Sequence, residues 1–140
     1  MSARHSAQGE ARQAGFSLIE IMIVVVIVGI LASIVVPSYQ NNVRASRRAD
    51  VQRLLVERSQ VLERYFTANG RYVTVAGGNT CGGGADPTSD FYAVVTACTD
   101  TTFTITATPG ASGLQAVDGT QTLTQSGARG GSVNNGSWKF

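Results

Sequence analysis

The sequence predicts an α+β fold in which a long N-terminal helix packs on a small antiparallel β-sheet. Residues 16–36 are almost entirely apolar, residues 37–67 have apolar side chains at three- and four-residue spacing, and residues 68–140 contain short alternating runs between turn residues. The first two patterns indicate one helix, half of it apolar enough for a membrane and half amphipathic. The third pattern indicates strands.

The apolar run 16–36 contains only Ser17, Glu20 and Ser33 as polar side chains. A helix of this length spans the hydrocarbon layer of roughly 30 Å, since each residue adds about 1.5 Å. A secretory signal peptide is the alternative, but its cleavage site would follow the run behind small residues. Because the run continues through Pro37 into a helical pattern, we expect the polar leader 1–15 to be removed instead.

Positive charges do not orient this helix by themselves, because Arg4 and Arg12 precede it and Arg44, Arg47 and Arg48 follow it. A long C-terminal domain is translocated largely regardless of its charge. Two cysteines also fit an oxidising compartment. We therefore expect a single-pass protein whose C-terminal domain lies outside the cytoplasm.

The amphipathic half of the helix is predicted from its apolar face. That face consists of Val51, Leu54, Leu55, Leu62, Tyr65 and Phe66. Pro37 lacks a backbone N–H and crowds the preceding turn, so it is expected to kink or interrupt the helix. Asn69 and Gly70 supply a stop signal, which ends the predicted helix near residue 67.

Three strands are expected in the second half of the chain. They are residues 91–97, 102–108 and 121–125. In the second strand Phe103, Ile105 and Ala107 alternate with threonines. These three side chains are expected to face the helix and to cover Leu54, Leu62 and Phe66.

The junction between the leader and the apolar run has the sequence Gly15-Phe16-Ser17-Leu18-Ile19-Glu20. With residues 29–32, Pro37 and Tyr39, this motif resembles the N-terminus of type IV pilins. The resemblance implies that a prepilin peptidase cuts between Gly15 and Phe16 and that the new Phe16 amine is methylated. It also implies a type IV pilin-like fold and a precursor held in the lipid of the bacterial inner membrane. The resemblance further implies that an inner-membrane assembly platform adds the subunit to a helical filament of major and minor pilins at the cell surface.

The sheet region is similar to that of PilE-type minor pilins. The similarity involves residues 103–109, Asp118-Gly119, Leu123-Thr124 and Ser126-Gly127. That subgroup often has a second cysteine pair near the Asp-Gly turn and the C-terminus, and this chain has only two cysteines. The difference concerns the subtype and not the pilin class.

A charged side chain such as Glu20 costs free energy inside an apolar membrane helix, and its presence there therefore indicates a function. After a cut at Gly15 it becomes the fifth residue, about 6 Å from the new end. Moving the helix from lipid into a filament exchanges one apolar neighbour for another, so apolar burial drives that step weakly. We expect Glu20 to pair with the Phe16 ammonium of an adjacent subunit and to select the docking register. A carboxylate that is merely hydrated at the membrane edge is the alternative.

Cys81 and Cys98 are the two cysteines, so one intramolecular disulfide is predicted. It would close a loop of about 18 residues and stabilise the fold by about 3 kcal/mol. Two free thiols fit an oxidising compartment less well, and two thiols without further ligands do not form a metal site. The glycine-rich segment 77–84 lacks the ending of a phosphate-binding loop and is expected to be flexible and exposed.

The sequence offers little for catalysis or for a cofactor. The single histidine, His5, lies in the leader, so the processed chain has no imidazole base. The four later aspartates occupy turn-like positions, where carboxylates commonly bond nearby backbone. They are Asp86, Asp90, Asp100 and Asp118. We therefore expect a structural subunit, with no enzyme activity, no metal and no cofactor.

Nucleic acid is a possible partner, although the formal net charge of +2 gives it little support. Four arginines after the apolar run could meet phosphates, but a solvated helix face or contact with lipid headgroups explains them more simply. They are Arg44, Arg47, Arg48 and Arg53. Near the C-terminus the candidates are Arg129, Trp138, Lys139 and Phe140. The sequence thus favours a minor pilin that contributes to pilus assembly, twitching motility and adhesion. The alternatives are a DNA-receptor pilin for natural transformation and a pseudopilin of a type II secretion system.

Overall fold

The computed structural model describes residues 15–132 and Trp138, and within them it contains one helix and a four-stranded antiparallel sheet. The elements are α1 (Leu18–Asn69), β1 (Tyr92–Cys98), β2 (Phe103–Pro109), β3 (Gln121–Thr124) and β4 (Arg129–Gly131). The sheet is a meander in the order β1-β2-β3-β4. The predicted α+β fold is confirmed, and the helix ends two residues beyond the predicted position.

The chain divides into two compact units, Met1–Pro37 and Ser38–Phe140. In the first unit the helix begins where the Ser17 carbonyl accepts from the backbone N–H groups of Glu20 and Ile21, at 3.1 and 3.2 Å. The side chains of residues 16–36 are exposed throughout. By length and composition, α1 could cross a membrane. The helix is continuous through Pro37, so the kink at this residue stays a prediction.

The second unit has a core between the amphipathic half of α1 and the inner face of the sheet. Phe103, Ile105 and Ala107 are buried, as their alternation predicts. The helix contributes Val51, Leu55 and Leu62 to this core. Leu54, which was expected to be covered, is only half-buried, because successive helical residues lie about 100° apart and Leu55 faces the sheet instead.

Aromatic rings close one end of this core. The ring of Phe66 stacks on Tyr72 with centroids 4.5 Å apart, and Tyr72 meets Phe103 edge-on at 5.0 Å. Phe66 is half-buried in this arrangement. The stack joins the end of α1 to the segment that follows it and to β2.

Strand β4 is not among the predicted strands. Its sequence, Arg129-Gly130-Gly131, has no β-branched or aromatic side chain, and glycine is depleted in strands. The strand forms because a tight turn reverses the chain after β3. In that turn Gly127 has φ 75° and its N–H donates to the Thr124 carbonyl at 2.9 Å. The register then places Arg129 opposite Leu123.

Candidate functional site

The residues of the predicted processing and docking site lie at the start of α1. Phe16 is 79% exposed, and Glu20 is exposed in the first turn of the helix. A Cβ added to Gly15 would have no atom within 4 Å. The fold of the described residues therefore places no steric requirement for glycine at position 15.

The predicted disulfide is confirmed. Cys81 and Cys98 are bonded, with their Cα atoms 5.3 Å apart. The bond joins the end of β1 to the glycine-rich segment, where Cys81 also forms an isolated antiparallel bridge with Val73. Within residues 15–132 and Trp138, no cluster of three or more potential metal ligands occurs.

Arg58 organises the glycine-rich segment from the buried face of α1. Its side chain is 4% exposed, and its guanidinium donates to the carbonyl oxygens of Gly83 at 3.1 Å and Gly84 at 2.9 Å. It also donates to Asp86 Oδ1 at 3.1 Å. Gly83 and Gly84 have φ values of 73° and 86°, a region that favours glycine. The segment is exposed at Gly83 and Gly84, as expected, and buried at Gly82, while its flexibility stays a prediction.

Asp86, which accepts from Arg58, also bonds to the outer edge of the sheet. Its Oδ2 accepts from the backbone N–H of Thr96 at 2.9 Å, and its Oδ1 accepts from the Thr96 hydroxyl. Thr96 lies on β1, which is an edge strand. The carboxylate thus satisfies a backbone donor that an edge strand would otherwise expose.

A second polar cluster holds the loop between β2 and β3 against α1. Asp118 accepts from the Arg48 guanidinium, from the Tyr92 hydroxyl and from Gln115 Nε2, the last at 2.8 Å. Gln115 is 2% exposed and also donates to the Tyr92 oxygen at 2.6 Å. We call Arg48, Tyr92, Gln115 and Asp118 the Asp118 cluster.

Burial and hydrogen bonds within the Asp118 cluster shift the pKa values of Asp118 and Tyr92. Burial by itself raises the pKa of Asp118, but the hydrogen bonds from Arg48, Tyr92 and Gln115 outweigh it and lower that pKa below its ordinary value. Burial, with the hydrogen bond to Asp118, raises the pKa of Tyr92 to about 12. At neutral pH the carboxylate is therefore charged and the phenol is protonated.

These clusters correct two predictions. Arg48 does not lie on a solvated helix face, because it pairs with Asp118; Arg58, which was not assigned to that face, pairs with Asp86. Asp86 and Asp118 likewise bond side chains of other elements. No sequence pattern signals Tyr92 or Gln115, because the run Tyr92–Cys98 has apolar side chains on both faces and Gln115 lies in a loop. Spacing alone cannot pair residues that are 70 positions apart.

The other arginines have different surroundings. The Arg47 guanidinium lies 3.8 Å from the centre of the Phe91 ring, and Arg53 forms an exposed pair with Glu57 at 3.5 Å. Arg129 lies over the Trp138 ring at 5.2 Å. Trp138 is buried and donates through Nε1 to the Gly130 carbonyl at 3.2 Å, so it is not the exposed stacking residue that was considered. His5, Lys139 and Phe140 lie outside the described residues.

An exposed apolar helix that continues into a disulfide-bonded helix-and-sheet unit defines the class of type IV pilin-like and pseudopilin subunits. Two family models match the chain. Residues 11–36 match the prokaryotic N-terminal methylation motif. Residues 37–124 match the model described as "Type IV minor pilin ComP, DNA uptake sequence receptor". Because this second match covers more than half of the chain, the protein belongs to that family.

Curated relatives and solved structures agree with this class. The chain is 45% identical over 67 residues to the type II secretion system core protein G of Klebsiella pneumoniae, covering 48% of each protein. It is 36% identical over 78 residues to the type IV major pilin protein PilE1 of Neisseria gonorrhoeae, covering 56% of this chain and 46% of that protein. The chain thus spans about half the length of these relatives.

A type IV pilin structure from Shewanella oneidensis has a TM-score of 0.52 and 26% identity, over 69% of this chain and 99% of that one. The minor pilin PilV of Neisseria meningitidis has a TM-score of 0.54 and 21% identity, over 69% of this chain and 93% of that one. The second likeness shows the fold alone. The family and the fold are those of structural subunits.

Proposed function

We propose that this chain is a minor pilin of a type IV pilus whose C-terminal unit serves as a receptor for DNA during uptake. The observation that carries the proposal is the family match over residues 37–124, which spans the amphipathic half of α1 and the sheet through β3. The sequence alone ranked DNA binding behind a general role in pilus assembly. The family match supports placing DNA binding first.

The processing part of the proposal concerns Gly15 and Phe16. Nothing in the fold of the described residues requires glycine at position 15, whereas a prepilin peptidase that cuts there needs a small residue in its site. The methylation-motif match over residues 11–36 supports the same cut. In this proposal the leader 1–15 is removed at the inner membrane, and the C-terminal unit faces the periplasm before assembly.

The assembly part of the proposal concerns Glu20. The apolar stretch of α1 is exposed in the single chain, so other pilin subunits or lipid must cover it. Apolar side chains pack against either neighbour with little preference for register. A Glu20 carboxylate that meets the Phe16 ammonium of an adjacent subunit supplies that preference.

The DNA-binding part of the proposal depends on arginines that form no ion pair inside the fold, one of which, Arg47, stacks on the Phe91 ring. Among the described side chains, Arg47 and Arg64 form no ion pair with a carboxylate, and Arg64 is exposed. Guanidinium groups of this kind bind phosphates and release counterions from DNA. Arg48 and Arg58 are engaged in internal clusters and are excluded from this role.

A mobility-shift titration with full-length protein in detergent tests the receptor function. We expect binding to duplex DNA whose log affinity falls with log salt by roughly 0.9 for each phosphate neutralised. Removing Arg47 or Arg64 by alanine substitution should reduce that slope by about 1 each. Arg53→Ala, which removes a cation paired with Glu57, is the matched control. Absence of binding at about 50 mM salt would contradict the receptor function.

A second candidate is a pseudopilin of a type II secretion system, which the similarity to core protein G favours. Deletion of the chain separates the candidates. Loss of transformation with pili retained supports the DNA receptor, and loss of surface pili, twitching and adhesion supports a general assembly subunit. Loss of secreted enzymes with pili and transformation retained supports the pseudopilin.

A further inference from the structure

The part of the second unit where its chain begins combines arginines with an exposed aromatic ring. Arg44 is the first charged residue after Glu20, and its Nη2 donates to Asn41 Oδ1 at 2.7 Å. Arg47 follows one turn later, and its guanidinium lies 3.8 Å from the centre of the Phe91 ring, which is 39% exposed. Residues three apart are neighbours on a helix surface, so both arginines start from the same side of α1.

The loop between β2 and β3 brings an exposed aliphatic side chain to the same place. Gln115 Nε2 donates to the Arg44 carbonyl at 3.4 Å, and Asp118 accepts from the Arg48 guanidinium. Val117 lies between these two anchored residues in sequence and is 76% exposed. We call Arg44, Arg47, Phe91 and Val117 the basal surface.

The chain that joins this surface to the apolar run is short. Arg44 lies eight residues after Val36, which amounts to about 12 Å at the rise of a helix. The headgroup region on each side of a bilayer occupies about 5–7 Å of that distance. Tyr39, which is 68% exposed, falls within this interval, where tyrosine is common in membrane proteins. The Arg44 side chain can cover the remainder, because Cα–Cβ bonds in a helix tilt toward the N-terminus and long cationic side chains reach back to the interface.

Charge makes an anionic lipid surface the favoured partner. Among the described side chains, Arg44 and Arg47 form no ion pair with a carboxylate. Asp50 and Asp90 are exposed carboxylates that limit the positive charge, but neither lies between Arg44 and the apolar run in sequence. Basic residues with aromatic and aliphatic side chains beside them are typical of surfaces that bind anionic membranes.

We propose that, before assembly, the basal surface docks on the membrane that holds residues 16–36. Arg44 and Arg47 bind the phosphates of anionic phospholipids, while Phe91 and Val117 enter the interface. The subunit gives up these lipid contacts when it enters the filament. DNA offers the same phosphate chemistry to Arg47, but only after the subunit has left the lipid. This inference depends on the proposed membrane-anchored precursor and not on DNA binding.

Hydrogen exchange of the full-length chain in vesicles tests the docking. The chain is reconstituted in phosphatidylcholine alone and in an equal mixture with phosphatidylglycerol, and exchange is compared at residues 111–118. We expect exchange to slow about tenfold in the anionic vesicles and this slowing to disappear at high salt. Arg44→Ala combined with Arg47→Ala should abolish the difference between the lipids. Arg53→Ala, at an exposed arginine on the same helix, is the matched control and should preserve it. Equal exchange of the parent in both lipids would overturn the inference.

A fluorescent label provides a second measurement that does not depend on the arginine variants. A dye on Val117→Cys, with the native disulfide kept oxidised, should be quenched by headgroup-labelled lipid in the anionic vesicles. The same dye on Val75→Cys is the control and should be quenched much less, because Val75 is 68% exposed in the segment that follows the far end of α1. Equal quenching at the two positions would overturn the docking.

A third arm separates lipid from DNA. Duplex DNA added to the parent chain in phosphatidylcholine vesicles should leave exchange at residues 111–118 unchanged. If DNA slowed that exchange as much as anionic lipid does, the basal surface would belong to DNA and the inference would be wrong. A chain that inserts into neither kind of vesicle would instead contradict the membrane-anchored precursor of the proposed function, and the docking with it.

Discussion

The Arg48 guanidinium on α1 donates to both carboxylate oxygens of Asp118, which lies 70 positions later in the chain. The contact is bidentate, the geometry in which arginine and carboxylate bind most strongly. It fixes the loop between β2 and β3 to the helix, and Tyr92 and Gln115 complete it from β1 and from the loop itself. We therefore expect the stability of the second unit and its pH dependence to rest on this pair.

Replacing Asp118 by asparagine should destabilise the second unit by about 2 kcal/mol. The substitution keeps the shape but leaves the half-buried Arg48 guanidinium without its charge partner, and such losses are more costly than the pair is favourable. Urea unfolding of the full-length chain in detergent measures the change. Asp90→Asn, at an exposed carboxylate, should change the free energy of unfolding by less than about 0.5 kcal/mol.

Stability should fall in acid because of the same carboxylate. The pKa of Asp118 is lowered in the fold, so below the unfolded value of about 3.9 the unfolded chain binds the proton first. The contribution is fully present above that pH and is lost as the pH falls through the folded pKa. Unfolding midpoints measured between about pH 6 and pH 2 should therefore decline less steeply in Asp118→Asn than in the parent. If the unfolding midpoints of the parent and of Asp118→Asn declined equally with pH, the Arg48–Asp118 pair would not be the cause of the loss of stability in acid.

At alkaline pH we expect the opposite dependence, in which stability falls as the pH rises, because of Tyr92. Its pKa rises to about 12 in the fold, so its contribution is fully present below the unfolded value of about 10 and is lost as the pH rises through about 12. Burial and the bond to Glu63 also raise the pKa of Tyr72, so spectrophotometric titration should show Tyr92 and Tyr72 ionising late, and Tyr92→Phe should remove the step at about 12 while the Tyr72 step remains. Tyr39→Phe, at an exposed tyrosine, is the matched control and should leave the late step in place.

Arg58→Lys should destabilise the second unit by about 2–3 kcal/mol, because an ammonium cannot reproduce the planar fork that meets Asp86 and the glycine carbonyls. Hydrogen exchange should rise at Thr96, whose N–H depends on Asp86. The control is Arg64→Lys, an exposed position on the same helix. If both variants were equally stable, the cluster would not hold the glycine-rich segment.

Much of the fold follows from the sequence because periodicity reports burial directly. Alternation in β2 places Phe103, Ile105 and Ala107 in the core, and the apolar run defines the first half of α1. Strand β4 is not predictable in this way, since its pairing comes from the turn at Gly127 rather than from side chains. The polar clusters also escape prediction, because Arg58 and Asp86 meet only after the chain has turned back on the helix. The sequence alone treats Arg48 as solvated, although Arg48 and Arg58 both hold loops against the helix.

We predict that Glu20 affects the docking of the subunit into filaments and not the folding of the second unit. Glu20→Ala should leave the unfolding of the second unit unchanged and should lower the amount of chain recovered in sheared filaments. Glu20→Gln, which keeps the size and removes the charge, should behave like the alanine variant if the charge is what matters. Recovery equal to the parent for both variants would show that the carboxylate is merely hydrated at the membrane edge.

The central claim is that the chain becomes a filament subunit after a cut between Gly15 and Phe16. N-terminal mass spectrometry of sheared surface filaments tests it most directly. The account predicts a chain that begins at Phe16, carries one methyl group on its amine and occurs together with other pilins. Filaments that lack the chain, or a functional chain that retains residues 1–15, would contradict the account.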